Sequence, residues 1–77
     1  MILYEEVKGI IAEILELPID NLDSSMEMQD IPEWDSMRNV IILSTLEEHF
    51  GVVFPEDDIF DLVSVDAYAA EIEKLKM

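Results

Sequence analysis

Two glycines and three prolines are the strongest helix breakers among the 77 residues, and their positions divide the chain into segments. Between Leu3 and Leu15 the apolar residues recur at helical spacing, and Pro18 marks the end of that segment. A second segment runs from about Ser36 to Phe50. Asp35 is a good N-cap for it, and Gly51 stands where a helix end favours a left-handed residue. The sequence therefore predicts two helices joined by a long connection.

The connection between these helices, residues 18–34, has no helical period. Its apolar residues are spaced irregularly among turn-forming residues, which are Asp20, Asn21, Asp23, Ser24, Ser25, Asp30 and Pro32. A connection of this length is uncommon in a small domain. We therefore expect it to pack across the core as a loop, with Trp34 buried at its end.

The last third of the chain predicts two further helices. Pro55 and the acidic residues after it open a short third helix that runs through Leu62. Ser64 can cap a fourth helix, whose inward residues are Val65, Tyr68, Ala69, Ile72 and Leu75. Residues 52–54 could form a strand, but a lone strand has nothing to pair with, so we reject it. The predicted fold is all-α: a single domain, residues 1–77, built as a four-helix bundle with a long first loop and a short third helix.

The charge of the chain limits its partners. Nineteen acidic and four basic residues give a formal net charge of −15, which would repel nucleic acids and anionic membranes and favour partners with basic patches. A hydrophobic fraction of 51% is too high for a disordered acidic tail. The chain has no cysteine, hence no thiol of its own, and neither a signal peptide nor a membrane-spanning run is evident. We expect a cytoplasmic protein.

The second helix carries more apolar residues than one face can bury. At about 100° per residue, its core stripe is formed by Ile42, Leu43, Leu46 and Phe50. The nearly opposite side carries Met37, Ile41, Ser44 and Glu48, with Val40 and Glu47 at its margin. An exposed apolar strip rimmed by acids usually marks a partner site, so these six residues are predicted to bind partners. The alternative is that the long connection folds over Met37 and Ile41 and buries them.

Ser36 stands at the start of this strip. It lies in the first turn of the second helix, where backbone N–H groups lack helical partners and the helix dipole is positive. Such a position suits a phosphate group. A serine there can also be a plain cap residue, so the position alone leaves both interpretations open.

At these residues the sequence resembles the acyl carrier protein family. The stretch Glu33-Trp34-Asp35-Ser36-Met37 looks like the family's Asp-Ser-Leu signature, and the helix up to Glu47-Glu48-His49-Phe50-Gly51 continues in the family's manner. The resemblance covers nearly the whole chain, because the order of helices, the long loop and the place of the serine also agree. The three-residue motif is short, but its position in a small acidic bundle makes the combination specific.

The resemblance implies that a phosphopantetheinyl transferase attaches 4′-phosphopantetheine from coenzyme A to Ser36. The thiol of this arm would carry acyl groups as thioesters, which a chain without cysteine can hold only through an added thiol. The resemblance also implies that Asp35 assists magnesium binding during attachment, which is compatible with its role as N-cap. It further makes the second helix the recognition surface. The expected function is that of a monomeric, stand-alone carrier without catalysis of its own.

Three residues of the second helix depart from the family's pattern. Met37 replaces the usual leucine, and Arg38 and Ile41 stand where fatty-acid carriers often show acids. The recognition face is therefore less negative and more apolar than is usual in the family. We expect a specialised carrier in a lipid, polyketide or polysaccharide-linked pathway rather than the carrier of housekeeping fatty-acid synthesis. A carrier of aminoacyl or peptidyl groups is an alternative.

The residues disfavour two other functions, a calcium-binding module and an enzyme. Tested as a calcium loop, residues 20–31 place Leu22 at the third position and Ile31 at the twelfth, where acidic ligands are needed. An enzyme is disfavoured, because Ser36 and the single histidine, His49, lie nearly four helical turns apart. An acidic helical adaptor with an unmodified Ser36 remains the rival to a carrier.

Overall fold

The computed structural model describes residues 2–23 and 25–76. Within them the chain forms four α-helices: α1 (Ile2–Leu15), α2 (Ser36–Phe50), α3 (Glu56–Ile59) and α4 (Val65–Lys76). Two single 3-10 turns, Ile19–Asn21 and Met28–Asp30, lie in the connection from α1 to α2. None of the described residues forms a strand, so the predicted all-α bundle is confirmed. Ser24, one of the predicted turn formers, lies outside the described residues.

The two ends of α2 follow the prediction from the sequence. The residue before the helix, Asp35, is extended, and its Oδ1 accepts a hydrogen bond from the Arg38 N–H at 2.8 Å. At the other end Gly51 adopts a left-handed φ of 67°, and its N–H donates to the Glu47 carbonyl. These caps make Ser36 the first residue of the helix and Phe50 its last.

The end of α1 departs from the usual pattern, because a glutamate takes the left-handed position. Glu16 has a φ of 59°. Its N–H donates to the Glu13 carbonyl at 3.1 Å, and the Leu17 N–H donates to the Ala12 carbonyl at 3.0 Å, which together form a Schellman motif. A residue with a Cβ pays roughly 1–2 kcal/mol for this conformation. The sequence gives no signal for it, since the position lacks the glycine that usually marks a Schellman end.

Replacing Glu16 with glycine is therefore expected to raise the free energy of unfolding by about 1 kcal/mol, because relief of the strain outweighs the extra backbone entropy of glycine. Gly51→Ala is the converse substitution, because it adds a Cβ at a left-handed residue where Glu16→Gly removes one. A Cβ at Gly51 would meet no atom within 4 Å, so its expected loss of about 1 kcal/mol reports backbone conformation alone. Urea denaturation measures both variants, and a Glu16→Gly protein no more stable than the parent would show that Glu16 is not strained.

The third helix is shorter than the sequence predicts. It was expected to run through Leu62 but ends at Ile59. The Asp61 N–H donates to the Asp58 carbonyl at 3.0 Å, and the Leu62 N–H donates to the Ile59 carbonyl at 3.1 Å. Both bonds span three residues rather than four, so the chain tightens into a 3-10-like turn before α4.

Side-chain contacts are found at the start of α4 and between α3 and α4. The Ser64 Oγ accepts a hydrogen bond from the Ala67 N–H at 3.0 Å, which confirms it as the cap of α4. On α3, the Asp58 carboxylate lies 3.9 Å from the Lys74 Nζ. The neighbouring Asp58 carboxylate raises the pKa of Glu71, because a protonated Glu71 could donate a hydrogen bond to it whereas two ionised carboxylates repel each other.

The core lies between α1, α2 and α4, and the long connection closes one side of it. The buried side chains are Val7, Ile11, Ala12, Leu15, Leu22, Ile31, Trp34, Ile42, Leu46, Phe54, Leu62, Val65, Tyr68 and Ile72. The connection supplies Leu22, Ile31 and Trp34, so the prediction that it packs across the core, with Trp34 buried at its end, is confirmed. This packing sets the position of the residues that immediately precede α2.

Candidate functional site

Ser36 is an exposed residue at the positive end of α2. The Asp35 side chain caps the Arg38 N–H at 2.8 Å, and the Asp35 carbonyl accepts the Asn39 N–H at 2.9 Å. The helix is thus capped by Asp35, and its stability does not require the Ser36 hydroxyl. The N–H groups of Ser36 and Met37, in the first turn, have no carbonyl one turn earlier to bind. The arrangement offers a primary hydroxyl beside backbone donors that suit an anion.

A network of partly buried polar groups holds the start of α2. The Asn39 Oδ1 accepts a hydrogen bond from the Trp34 Nε1 at 3.0 Å and another from the Tyr68 hydroxyl at 2.8 Å. Burial raises the pKa of the Tyr68 phenol well above its usual range, so the hydroxyl keeps its proton and donates. One amide oxygen therefore ties α2 to the long connection and to α4. Sequence reasoning missed this role of Asn39.

Arg38 reaches back across the first turn of the helix. Its Nη1 donates to the Glu33 carbonyl at 3.0 Å, and the side chain is half-buried. This bond and the Trp34–Asn39 bond both cross from α2 to the residues before it. These two hydrogen bonds hold the first turn of α2 against the residues before it. The Ser36 hydroxyl therefore lies on a fixed helical turn and not on a flexible loop.

The apolar strip on α2 is exposed. Met37 is 75% exposed, and Val40 and Ile41 are also exposed, as are Ser44 and Glu48 further along the helix. On the opposite face Ile42 and Leu46 are fully buried. The long connection therefore does not cover the strip, and the alternative that Met37 and Ile41 belong to the core is wrong.

Glu47 and His49 have contacts that the sequence did not predict. The Glu47 Oε2 accepts a hydrogen bond from the Phe54 N–H at 2.8 Å, so this carboxylate also fastens the connection after α2. The His49 Nε2 lies 3.4 Å from the Glu6 Oε2 on α1. His49 is thirteen positions after Ser36, about 20 Å along a helix, so the two cannot act as nucleophile and base.

A small open cavity lies beside the residues that lead into α2. It has a volume of about 270 Å³ and is lined by Glu27, Met28, Gln29, Trp34 and Val63. Trp34, which forms part of its wall, stands two residues before Ser36. The sequence did not predict this cavity, because its two sides lie about thirty residues apart in the chain.

Two further findings concern metals and membranes. Among residues 2–23 and 25–76, no three His, Asp or Glu side chains come together in a way that could hold a metal ion. None of the helices described is long and apolar enough to cross a membrane.

Comparison with known proteins identifies the family. A family model described as "Phosphopantetheine attachment site" matches residues 5–72. The acyl carrier protein of Campylobacter jejuni subsp. doylei is 28% identical over 76 residues, which are 99% of each chain. The NMR structure of the holo acyl carrier protein from Geobacter metallireducens matches with a TM-score of 0.83 at 21% identity, covering 99% of this chain and 87% of that one, and so supports the fold.

The chain belongs to the acyl carrier protein family. Its members carry phosphopantetheine and act as carriers without catalysis of their own, so the prediction of a carrier rather than an enzyme is confirmed. The residues at the start of α2 fit this group chemically: they offer an exposed hydroxyl to esterify and backbone donors beside it for a phosphodiester.

Proposed function

We propose that the chain carries its phosphopantetheine on the Ser36 Oγ and presents acyl groups to partner enzymes through the exposed face of α2. One observation carries this proposal above the others. Ser36 is exposed at the positive end of a helix that Asp35 already caps, so its hydroxyl is available for modification at little cost to the fold.

In the proposed attachment reaction this hydroxyl is the nucleophile. The Ser36 Oγ attacks the coenzyme A phosphorus that bears the pantetheine, the bond from that phosphorus to 3′,5′-ADP breaks, and the serine proton is lost. The new phosphodiester keeps one negative charge at the positive end of α2, where it is stabilised. The attached arm supplies the thiol that holds an acyl group as a thioester.

Asp35 is proposed to assist the magnesium ion that accompanies coenzyme A during attachment. Its cap bond to the Arg38 N–H uses Oδ1 alone, so capping and metal binding are compatible. Asp35→Asn would keep the capping oxygen and change the charge, which makes it the variant that separates the two roles.

The partner surface is proposed to consist of Met37, Val40, Ile41, Ser44, Glu47 and Glu48. Apolar side chains rimmed by acids fit a partner face that has an apolar recess bordered by Lys and Arg. The Glu47 Oε2 already accepts a hydrogen bond from the Phe54 N–H. Glu47 would therefore contribute to partner binding through its charge and not through a free side chain.

Arg38 and Ile41 make this surface less acidic than is usual in fatty-acid carriers, which supports a specialised pathway for lipid, polyketide or polysaccharide-linked products. A bulk fatty-acid synthase is then expected to extend acyl chains on this carrier more slowly than on its own. Equal rates would contradict the specialised role. Aminoacyl or peptidyl cargo remains the alternative, while a cytoplasmic location and a monomeric state remain predictions from the sequence.

Met37→Glu and Ile41→Glu are each expected to lower kcat/KM for loading by a phosphopantetheinyl transferase about 10- to 100-fold, because each places a charge in the apolar contact. The unfolding transition should stay within about 0.5 kcal/mol of the parent, since both residues are exposed. Ile19→Glu, at an exposed apolar residue of the α1–α2 connection, is the control. Unchanged loading in both strip variants would exclude this face.

The proposal as a whole is tested by expressing the chain with a broad phosphopantetheinyl transferase and weighing the intact protein. We expect a mass gain of one phosphopantetheinyl group. If several transferases and coenzyme A leave the mass unchanged, the carrier function proposed for this chain is wrong and an unmodified adaptor is favoured.

A further inference from the structure

A groove between α1 and α2 is not explained by the carrier function described so far. It is open to solvent and has a volume of about 340 Å³. Its lining residues are Glu5, Glu6, Gly9, Ile10, Glu13 and His49, and all of them except His49 lie on α1. The volume is at the small end of the range for ligand clefts, so the groove fits a single side chain rather than a larger molecule.

Gly9 lines the groove at a position where the packing of the fold does not require a glycine. It lies in the middle of α1, where glycine is unfavourable because it loses the most backbone freedom on folding. A Cβ there would contact only the Ile19 Cδ1, at 4.0 Å, which is an ordinary van der Waals distance. Within the described residues, no other helix comes close enough to exclude a side chain. The glycine therefore keeps the groove open at a cost to the helix.

The groove is acidic, and its charge is not balanced by the chain's own basic residues. Glu5, Glu6 and Glu13 are exposed carboxylates on its border. The four basic residues all belong to the described part of the chain, and none of them lines the groove. Three of the four have contacts elsewhere, namely Arg38 with Glu33, Lys74 with Asp58 and Lys76 with Phe50. A cation from outside the chain is therefore attracted to the groove.

The imidazole of His49 forms the α2 side of the groove. Its Nε2 lies 3.4 Å from the Glu6 Oε2, and its ring meets the Phe50 ring edge-on, with the centroids 4.8 Å apart. These two contacts hold a flat ring beside the carboxylates. A guanidinium group suits such a place better than an ammonium group, because it is planar, stacks on aromatic faces and forms two parallel hydrogen bonds with one carboxylate. The groove therefore favours arginine over lysine.

Two other occupants fit the groove less well. Among residues 2–23 and 25–76, no three carboxylate or imidazole groups are arranged to hold a metal ion. A second copy of this chain carries a net charge of −15, and its single arginine, Arg38, is half-buried and donates to the Glu33 carbonyl. The charge and shape of the groove are thus complementary to an arginine of a different protein.

The groove continues into the partner surface proposed on α2. His49 also lines a neighbouring cavity of about 250 Å³, together with Thr45 and Glu48. Glu48 belongs to the proposed partner surface, and Thr45 and His49 lie one turn apart on the same side of α2. A protein that docks on the α2 strip can therefore reach the groove across a continuous surface.

We propose that the groove lined by Glu5, Gly9, Glu13 and His49 binds an arginine side chain of the partner protein that docks on the α2 strip. The inference rests on the proposed partner surface and extends it from α2 to α1. The carboxylates supply the charge, the imidazole supplies a flat face, and the glycine supplies the space.

The test uses the full chain and a fluorescein-labelled helical peptide, with leucines along one face and two arginines, one turn apart, beside them. A second peptide has lysines in place of the arginines. By fluorescence anisotropy, the parent should bind the arginine peptide about 3- to 10-fold more tightly than the lysine peptide. The amide NMR signals that shift on binding should include those of Gly9, Ile10 and His49 as well as those of Met37 and Ile41.

Substitutions of Gly9 separate binding from folding. Gly9→Ala should raise the melting temperature by about 3–6 °C, because alanine favours the helix and its Cβ meets no close contact, yet it should weaken binding of the arginine peptide about threefold. Gly9→Leu fills more of the groove and should weaken binding about tenfold.

Two further variants test the charge and the flat ring. Glu13→Gln should weaken binding of the arginine peptide about threefold. Glu73→Gln, at an exposed acid of α4 outside the groove, makes the same change of charge and should bind like the parent. His49→Ala should remove the preference for arginine over lysine.

Every result supports or overturns the arginine groove. Equal binding of the two peptides by the parent, equal binding of the arginine peptide by Gly9→Leu, or no binding at all overturns it. NMR shifts confined to α2 overturn it too, as do dimers of the parent in sedimentation that Gly9→Leu abolishes. None of these results affects the attachment at Ser36, which is measured separately by intact mass. Failure of the parent to gain a phosphopantetheinyl group overturns the proposed function instead.

Discussion

Ser36→Ala is expected to abolish the attachment of phosphopantetheine while leaving the fold unchanged. The variant removes the only atom of this side chain that can form the phosphodiester. It does not remove the helix cap, because the Asp35 Oδ1 accepts the Arg38 N–H. The free energy of unfolding should therefore stay within about 0.5 kcal/mol of the parent, and the intact mass after incubation with transferase and coenzyme A should show no gain.

Ser25→Ala is the matched control for this experiment. Ser25 is an exposed serine of the α1–α2 connection, outside the proposed partner surface. This variant should gain the full mass of one phosphopantetheinyl group. A gain in the Ser36→Ala protein would place the arm on another residue, and a loss of helicity in that protein would mean that the Ser36 hydroxyl stabilises α2 after all.

Asn39→Leu is expected to lower the free energy of unfolding by about 2–5 kcal/mol. The substitution leaves the Trp34 Nε1 and the Tyr68 hydroxyl without the oxygen that accepts both of their hydrogen bonds, at 3.0 and 2.8 Å. Each orphaned donor in such a buried place costs about 1–3 kcal/mol. For a domain of this size that is a large part of the total stability.

Asn39→Asp is the control for Asn39→Leu, because it tests whether the loss of stability comes from the two hydrogen bonds. It keeps an oxygen at the accepting position and adds a negative charge in the first turn of α2, where the helix dipole favours it. We expect a loss of less than about 1 kcal/mol, measured by urea denaturation followed by tryptophan fluorescence and by circular dichroism. If Asn39→Leu is as stable as Asn39→Asp, the network does not hold α2 in place.

Helix positions were readable from the sequence because local signals fix them. The caps at Asp35 and Gly51 and the apolar spacing of α1 act over one or two turns, and the structure has the predicted boundaries to within one residue. The end of α3 was predicted wrongly, since the choice between a helical and a tighter turn at Leu62 depends on how the chain packs. The left-handed Glu16 was missed because the position lacks the glycine that usually marks such a helix end.

The candidate site was predictable where exposure follows from periodicity. Met37 and Ile41 lie opposite the buried Ile42 and Leu46, as the spacing requires. The role of Asn39 was hidden because its two donors come from residues 34 and 68, and no spacing along one helix reveals such a contact. The exposure of Phe60 was hidden too, since only the path of the chain after α2 decides whether this phenylalanine faces the core.

The most direct measurement is made on the protein isolated from its native host, digested and analysed by tandem mass spectrometry for the arm and its position. We expect a phosphopantetheinyl group on the peptide that contains Ser36, with any acyl cargo released from its thiol by hydroxylamine. An unmodified Ser36 peptide, or the same group found on a different serine, would contradict it.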